Sequence, residues 1–210
     1  MSASRNSFDD YFRAQESYYG DDPSDGLVKC IAQNNIEPCK ALDAGCGHGR
    51  NALWLASKGF DVLAVDNSVE AISQVQDRAA ARGITVKTCL GDIRKIPFPR
   101  QHFGLIVLQT TLNHIPKADL TGLCDKIFES LIIGGALYSV CFTKEDPGAR
   151  PGLEATSECS HLVSHYFEAQ ELSKLFSSLK ILEYTEYRKI DATHGPVHYH
   201  GKAKLVGRRI

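Results

Sequence analysis

Two acidic residues bracket a glycine-rich turn in the first third of the chain. Asp43 precedes the run Gly45, Gly47 and Gly49, and Asp66 follows the apolar segment after it. Glycines in such a turn let backbone N–H groups approach a ligand with no Cβ in the way. A carboxylate just before the turn favours a cationic or amine-bearing ligand, because it would repel a pyrophosphate. The second acid can accept hydrogen bonds from both hydroxyls of a ribose.

The elements that must position these acids are a strand, a turn, a helix and a second strand. Ala41–Ala44 is short and apolar, and Val62–Val65 is a second apolar run that ends at Asp66. Between the two runs the apolar residues recur with helical spacing. A dinucleotide-binding fingerprint would place its third glycine one residue later, so this turn departs from that motif. An α/β turn that binds no ligand is the alternative interpretation.

The segment from Ala41 to Asp66 resembles the first motif of class I S-adenosylmethionine (SAM) methyltransferases. In that family the first acid and the glycine backbone face the methionine part, and the second acid holds the ribose. The resemblance covers about residues 24–208. It implies an α/β fold with a Rossmann-like, doubly wound seven-stranded sheet, mostly parallel with an antiparallel last strand. It also implies SAM as the cofactor and S-adenosyl-L-homocysteine as its product.

Two later segments extend the predicted cofactor site. Gly91-Asp92-Ile93 follows the predicted strand Ile84–Leu90, and the resemblance implies that Asp92 accepts from the adenine amine while its apolar neighbour packs on the ring. An Asx turn at Asp92 is the alternative. Gln109 ends the predicted strand Phe103–Gln109, at the edge where open α/β sheets bind ligands. The predicted cofactor-binding residues are Asp43, Gly45, Cys46, Gly47, Asp66, Asn67, Gly91, Asp92, Ile93, Gln109 and Tyr19.

Residues 1–24 are polar but rich in aromatic side chains, unlike a disordered tail. We expect a docked segment, either a lid over the cofactor or a helix packed on the body. The remaining residues, 25–210, are expected to form one SAM-binding domain. Its other predicted elements are a helix that Ser24 or Asp25 caps and that runs through Gln33, helices at 68–83, Asp119–Leu131 and Phe167–Ser177, and strands at Ala136–Phe142, Leu179–Tyr187 and Val197–Val206.

Three residues in the second half are candidates for catalysis. His114 follows a strand end and titrates near neutrality, so it is a candidate base or a ring that packs under the ligand. His198 and His200 share one face of a predicted strand. A metal site and a solvated edge strand are both open, but we favour a polar pocket wall. There Arg188 would bind an anionic acceptor, and His198 would orient the acceptor or take its proton, with no metal.

Two further features bear on the acceptor. The long irregular segment from Thr143 to His165 is a candidate substrate lid. The run Cys46–Ala56 resembles the tellurite-resistance methyltransferase group, in which an arginine also precedes a short loop near the C-terminus. Here the arginine is Arg188 and the loop is Asp191–Gly195, but Tyr187 stands where that group has a histidine. The resemblance therefore supports the fold and the cofactor more than the substrate.

Composition limits the choice of partner. The 210 residues include 24 basic and 25 acidic side chains, which leaves no electrostatic footprint for nucleic acid. No apolar run is long enough to span a bilayer, and seven scattered cysteines fit reduced thiols in the cytoplasm. The prediction is a cytoplasmic methyltransferase, monomer or homodimer, that methylates a small molecule. The alternatives are a nucleic-acid or protein methyltransferase, or a SAM-binding protein without activity.

Overall fold

A computed structural model of the protein describes residues 7–14, 20–149, 163, 165–191 and 197–210. The chain divides into two compact units, unit 1 up to Ile96 and unit 2 from Pro97. Each unit has its own strands, helices and buried side chains.

Unit 1 is built on three parallel strands. The central strand of the three, β2, pairs in parallel with β1 on one side and β3 on the other. Both β1 and β2 are almost wholly buried, as expected for strands covered on both faces. The elements of unit 1 are α1 (Ser7–Ala14), α2 (Asp25–Gln33), β1 (Lys40–Ala44), α3 (Arg50–Ser57), β2 (Asp61–Asp66), α4 (Val69–Ala81) and β3 (Lys87–Leu90).

Unit 2 contains a parallel pair extended by an antiparallel hairpin. Strand β4 pairs in parallel with β5, and β7 runs antiparallel to both β5 and β6. The elements are β4 (Phe103–Gln109), a 3₁₀ turn (Thr111–His114), α5 (Lys117–Ser130), β5 (Leu131–Phe142), a 3₁₀ turn (Pro147–Ala149), α6 (Glu171–Leu175), β6 (Lys180–Asp191) and β7 (His198–Arg208). The described residues thus contribute seven strands, mostly parallel with an antiparallel last strand, which confirms the predicted α/β fold class.

Several predicted boundaries differ from those of the structure. Strand β5 begins at Leu131, five residues earlier than predicted, because a bulge keeps the segment paired with β4 and Gly134 adopts a φ of +84°. Helix α6 is shorter than predicted, because Gln170 at its start adopts a φ of +60° and Phe167 pairs with Thr143 instead. Strand β3 begins only at Lys87. No helix among the described residues is long and apolar enough to cross a bilayer.

Candidate functional site

The glycine turn of unit 1 connects β1 to α3 in a conformation that its glycines make accessible. Gly45, Gly47 and Gly49 all have positive φ, at 76°, 53° and 88°. A Cβ on Gly49 would lie 2.7 Å from the Val75 side chain, so the start of α3 packs closely on α4 only because that residue is glycine. The Val65 carbonyl accepts hydrogen bonds from the N–H groups of Gly45 and its neighbour, at 2.7 and 3.0 Å, and so fixes the turn to the end of β2.

Asp43 is a buried carboxylate that lacks a hydrogen-bond donor. It is 1 % exposed, and neither of its carboxylate oxygens has a partner among the described residues. Burial raises the pKa of Asp43 to about 7, and repulsion from Asp66 adds to the rise. The Ala52 N–H lowers the pKa, but it lies outside hydrogen-bonding geometry. A buried carboxylate without donors is costly, so this position favours a cationic or hydrogen-bond-donating ligand.

Asp66 lies at the end of β2 and holds the turn in place. Its two oxygens accept backbone N–H groups from Gly47 at 2.9 Å and Ser68 at 3.0 Å. Burial raises the pKa of Asp66, and these two hydrogen bonds oppose the rise. Because each carboxylate oxygen has two lone pairs, the group can hold the turn and still accept from a ribose.

Among the other predicted cofactor residues, Asp92 forms the Asx turn that was the alternative to adenine binding. Its Oδ1 accepts from the Arg94 N–H at 2.9 Å in an Asx turn, and the Arg94 guanidinium pairs with the carboxylate at 2.6 Å. These contacts lower the pKa of Asp92. Ile93 beside it is 5 % exposed. The adenine contact stays a prediction, and an exocyclic amine would have to share Asp92 with Arg94.

The remaining predicted cofactor residues of unit 1 are Cys46, Asn67, Gly91 and Tyr19. Cys46 lies in the glycine turn, 9 % exposed, and burial raises the pKa of its thiol well above its ordinary value. Gly91 at the end of β3 donates its N–H to the Asp66 carbonyl at 2.8 Å. Asn67 is exposed between Asp66 and the N-cap of α4. Tyr19 lies outside the described residues.

Helix α1 lies on the glycine turn, a contact that the sequence did not specify. The ring of Phe12 lies 3.2 Å from the place where a Cβ on Gly47 would be. Asp9 accepts the Ser68 hydroxyl at 2.7 Å and the Val69 N–H at 2.9 Å, and so adds a cap to the start of α4. Arg13 of α1 pairs with Glu70 of α4. The aromatic content of the segment was the signal that it docks, but nothing in the pattern selected Phe12.

In unit 2, Gln109 and His114 lie at the two ends of a short turn that hydrogen bonds of Asn113 hold in place. The Gln109 side-chain oxygen is buried without a partner among the described residues. Next to the half-buried His114, Asn113 donates to the backbone oxygens of Phe142 at 3.0 Å and His165 at 2.7 Å, and accepts the Phe142 N–H at 2.8 Å. The sequence did not identify Asn113, which fixes the position of the turn that carries His114.

The structure does not bring Arg188 and His198 together as the predicted pocket wall requires. In the β6–β7 pair, Arg188 lies opposite Gly201, whereas His198 lies opposite Asp191. Because side chains alternate along a strand, Arg188 and His198 project from opposite faces of the hairpin. Arg188 pairs with Glu145 at 2.9 Å, and its guanidinium lies 5.3 Å from the Tyr199 ring centroid.

His198 instead belongs to a chain of hydrogen bonds whose other two members are buried. Its Nε2 lies 3.0 Å from Nε2 of His200, and Nδ1 of His200 lies 2.8 Å from Oδ2 of Asp146. Asp146 and His200 are each 3 % exposed. Asp146 lies among turn-forming residues, where no sequence motif marks it as functional. The described residues contain no group of three His, Cys, Asp or Glu side chains arranged to hold a metal ion.

Comparison with known proteins gives one family match. Residues 41–135 match the family described as "Methyltransferase domain". The matched region begins at the first residue of the predicted first strand and contains both acids of the turn.

Three curated relatives are similar to this chain over about three quarters of its length. The probable S-adenosyl-L-methionine-dependent methyltransferase TehB of Haemophilus influenzae is 26 % identical over 72 % of this chain and 49 % of TehB. Hemagglutinin 1 of Eikenella corrodens is 45 % identical over 74 % of this chain and 48 % of that protein. The 2-heptyl-1-hydroxyquinolin-4(1H)-one methyltransferase of Mycobacteroides abscessus is 28 % identical over 72 % of this chain and 68 % of that enzyme. The chain spans about half the length of the first two relatives.

Two solved structures share the fold. The crystal structure of TehB from Haemophilus influenzae superposes with a TM-score of 0.75 at 23 % identity, covering 96 % of this chain and 67 % of TehB. A structure described as converting a disulfide bond into a thioacetal group during echinomycin biosynthesis superposes with a TM-score of 0.74 at 21 % identity, covering 96 % of this chain and 91 % of that one. At these identities the likeness supports the fold alone.

Proposed function

We propose that this chain, a class I SAM-dependent methyltransferase by its match to the methyltransferase-domain family and its likeness to TehB, transfers the methyl group of SAM to a small-molecule acceptor. One observation carries the proposal. Asp43 is a buried carboxylate that accepts no hydrogen bond from the described residues, and it lies beside a turn in which Gly45 and Gly47 are half-buried. A ligand with a cationic, hydrogen-bonding amine would supply what that carboxylate lacks.

The residues present fit SAM. Asp43 would bind the amino group and offset the positive charge of the ligand, while the glycines of the turn would let the ligand approach the backbone with no Cβ in the way. Asp66 would accept from the ribose hydroxyls, and Ile93 would contact the adenine. The role of Gln109 in cofactor binding stays a prediction of its own; in unit 2 its side-chain oxygen is buried without a partner among the described residues. When bound, SAM supplies a methyl group that its sulfonium charge activates.

The chemistry asks little of the protein beyond positioning. A nucleophile held in line with the methyl group gains most of its rate from proximity and orientation, and a base is needed only where the nucleophile carries a tightly held proton. We propose His198 for that base. His114 is a second candidate, held by Asn113 in the turn after β4. The contact of Arg188 with an anionic acceptor stays a separate prediction, because Arg188 projects from the opposite face of the hairpin to His198.

The N-terminal segment is proposed to act as a lid over the cofactor. The support comes from α1, whose Phe12 ring lies on Gly47 and whose Asp9 caps α4. The predicted second lid, Thr143–His165, lies largely outside the described residues. A monomeric or homodimeric state and a cytoplasmic location remain predictions.

A screen for methylated products would test the proposed activity. The purified protein is incubated with SAM carrying a deuterated methyl group and, separately, 2-heptyl-1-hydroxyquinolin-4(1H)-one, small thiols, phenols, amines, and selenite and tellurite. We expect a labelled product from at least one small molecule by mass spectrometry. The Asp43→Ala variant serves as the control, and its product should fall to background. If the whole panel stays unlabelled while SAM binds, the reading as a small-molecule methyltransferase is contradicted.

The alternative acceptors are nucleic acids and proteins. A net charge of −1 gives little attraction for a phosphate backbone. We therefore expect no micromolar binding to duplex DNA or RNA at physiological salt in a fluorescence-anisotropy titration. Labelled methyl groups in RNA, DNA or protein from a cell lysate, with none in small molecules, would favour the alternative.

A further inference from the structure

We infer that helix α1 belongs to the cofactor site, because Asp9 is a positioning residue that acts on Asp66 through Ser68. The inference rests on the proposed function, in which Asp66 accepts from the ribose hydroxyls, and every residue that it uses lies in unit 1. Asp9 does not need to touch the cofactor. Its effect is to keep the Asp66 carboxylate in the orientation that the ribose requires.

Two backbone donors orient the Asp66 carboxylate. Gly47 donates its N–H to Oδ2 at 2.9 Å, and Ser68 donates its N–H to Oδ1 at 3.0 Å. Gly47 belongs to the glycine turn, whereas Ser68 is the N-cap of α4, so the donors come from two different elements. The carboxylate keeps one orientation only while both donors stay in place.

Helix α1 contacts both of these donor residues. The Phe12 ring, which is 8 % exposed, lies 3.2 Å from the place where a Cβ on Gly47 would be. Asp9, on the same helix, accepts a hydrogen bond from the Ser68 hydroxyl at 2.7 Å. One helix of eight residues therefore supports both residues that orient the predicted ribose-binding acid.

Asp9 also completes the hydrogen bonding at the start of α4. The first N–H groups of a helix have no partner within the helix itself. The Ser68 hydroxyl accepts the Ala71 N–H at 3.2 Å, and Asp9 accepts the Val69 N–H at 2.9 Å. A hydroxyl can donate and accept at once, so Ser68 caps α4 while it donates to Asp9. Without Asp9, the start of α4 loses two hydrogen bonds, and the Ser68 N–H is held in place for a smaller fraction of the time.

Further contacts fix the position of α1 on α4. The Gln74 side chain donates to the Phe12 carbonyl oxygen at 2.8 Å, and Arg13 pairs with Glu70. Glu70 and Gln74 are four residues apart and therefore lie on one face of α4. These contacts attach the second half of α1, whereas Asp9 attaches its first half. Both halves of the helix are thus held, which sets the position of Asp9 relative to Ser68.

The negative charge of Asp9 does not explain this arrangement. Burial is the main cause of the raised pKa of Asp66, hydrogen bonds from backbone N–H groups oppose the rise, and the nearby Asp9 carboxylate adds to it. A second negative charge disfavours the ionised form of Asp66. The favourable contribution of Asp9 is therefore its acceptor oxygen, which an amide oxygen in the same place would supply without the repulsion.

This arrangement couples the docking of α1 to cofactor binding. When only a fraction of the molecules has the binding-competent conformation, the apparent affinity falls by that fraction. Coupling between two equilibria is reciprocal, so bound cofactor must stabilise docked α1 by the same factor. The coupling can therefore be measured at the ligand and at the helix.

Substitutions of Asp9 separate its acceptor oxygen from its charge. In calorimetric titrations with S-adenosyl-L-homocysteine, we expect Asp9→Ala to bind roughly fivefold more weakly than wild type, about the effect of losing a helix cap. Asp9→Asn keeps an acceptor oxygen, so its affinity should stay within about twofold of wild type. Asp77→Ala, which removes an exposed carboxylate from α4, is the control and should bind as wild type. Equal losses in both Asp9 variants, or wild-type affinity in Asp9→Ala, would overturn the positioning role.

A double-mutant cycle tests whether Asp9 acts through Asp66. In Asp66→Ala protein no carboxylate remains to be oriented, so adding Asp9→Ala should lower the affinity by less than about twofold. A loss that stays at about fivefold in this background would mean that α1 acts on the cofactor directly, and would overturn the inference. Should Asp66→Ala fail to fold, Asp66→Asn takes its place, because its one acceptor oxygen cannot meet both backbone donors as the carboxylate does.

Hydrogen exchange measures the same coupling at the helix. Saturating S-adenosyl-L-homocysteine should slow exchange of the α1 amides in wild type and in Asp9→Asn, and should slow it less in Asp9→Ala. Exchange in wild-type α1 that does not respond to the ligand would contradict the coupling. Wild-type affinity in folded Asp66→Ala protein would instead contradict the ribose assignment of the proposed function. Weak binding by Asp66→Ala together with wild-type binding by Asp9→Ala would contradict the positioning role alone.

Discussion

Two buried carboxylates, Asp43 in unit 1 and Asp146 in unit 2, are held in opposite ways. Asp43 is 1 % exposed and lacks a hydrogen-bond partner among the described residues, whereas Asp146 is 3 % exposed and is contacted by two backbone N–H groups and a histidine ring. Burial removes water from both carboxylates, but among the described residues only Asp146 finds hydrogen bonds that replace it. An unsatisfied carboxylate indicates a place for a ligand, and a satisfied one indicates a group that orients its neighbours.

The largest expected effect is on stability, and it should be opposite in sign at the two carboxylates. Asp146→Ala leaves the Gly148 and Gly201 N–H groups without their acceptor, so we expect the free energy of unfolding to fall by roughly 2–4 kcal/mol. Asp43→Asn at pH 8 removes a buried charge that has no donor, so the free energy of unfolding should stay unchanged or rise. Urea denaturation of the two variants and the wild type measures both. Equal losses at the two sites would remove the contrast.

The comparison also shows what the sequence could predict. Asp43, Asp66 and the glycine turn lie within one continuous segment, where spacing along the chain fixes spacing in space. Asp146, His200 and His198 come together through a segment after β5 and a strand more than fifty residues later. No local sequence pattern predicts that contact. Gly201 leaves the room that the contact needs, but the sequence does not distinguish it from other glycines in strands. The strands could be predicted because each is a continuous apolar segment of the chain. The boundaries of α6 and β5 were missed because pairing with distant residues overrode the local preference.

The second-largest effect should come from Asp66, which combines a structural and a ligand-binding role. Asp66→Asn keeps the size of the side chain but removes its charge, so we expect SAM affinity to fall roughly ten- to a hundredfold from the loss of charge-assisted hydrogen bonds. Isothermal titration calorimetry measures the affinity. Asp61→Asn, at the exposed start of the same strand, is the control and should bind as wild type. Equal affinity in folded Asp66→Asn protein would contradict the ribose assignment.

A pH titration sharpens the account of Asp43. Its pKa is raised from 3.8 to about 7 in the ligand-free fold, so the carboxyl is mostly neutral at pH 6. A cationic ligand favours the ionised form, so SAM affinity should rise roughly tenfold from pH 6 to pH 8 because of this group. The same pKa means that the folded state keeps a proton that the unfolded state loses. This group therefore lowers the stability of the ligand-free protein as the pH rises from about 4 to about 7.

Calorimetry across that pH range, with Asp43→Asn as the reference, isolates this contribution from the titration of the ligand itself. The variant should bind SAM more weakly at pH 8 and lack the rise between pH 6 and pH 8. A parallel rise in both proteins would place the titrating group elsewhere.

The smallest expected effect concerns the lid. Phe12→Ala removes a ring that packs on Gly47 by dispersion alone, so SAM affinity should change by less than about fivefold. Hydrogen exchange is the more sensitive measurement, and the amides of the glycine turn should exchange faster in the ligand-free variant than in wild type. Val69→Ala, which shortens an exposed apolar side chain at the start of α4, is the control. Unaltered exchange at Gly47 would mean that α1 does not cover the turn in solution.

Calorimetric titration of the wild-type protein with SAM, S-adenosyl-L-homocysteine, NADH and NADPH tests the central claim most directly. Asp43, which is buried without a partner among the described residues, and the spacing of the glycine turn favour a cationic, amine-bearing nucleoside over a pyrophosphate. We therefore predict one binding site per chain for SAM and for S-adenosyl-L-homocysteine, and no measurable heat of binding for either nicotinamide dinucleotide. Binding of NADH or NADPH, together with no measurable binding of SAM, would contradict the account.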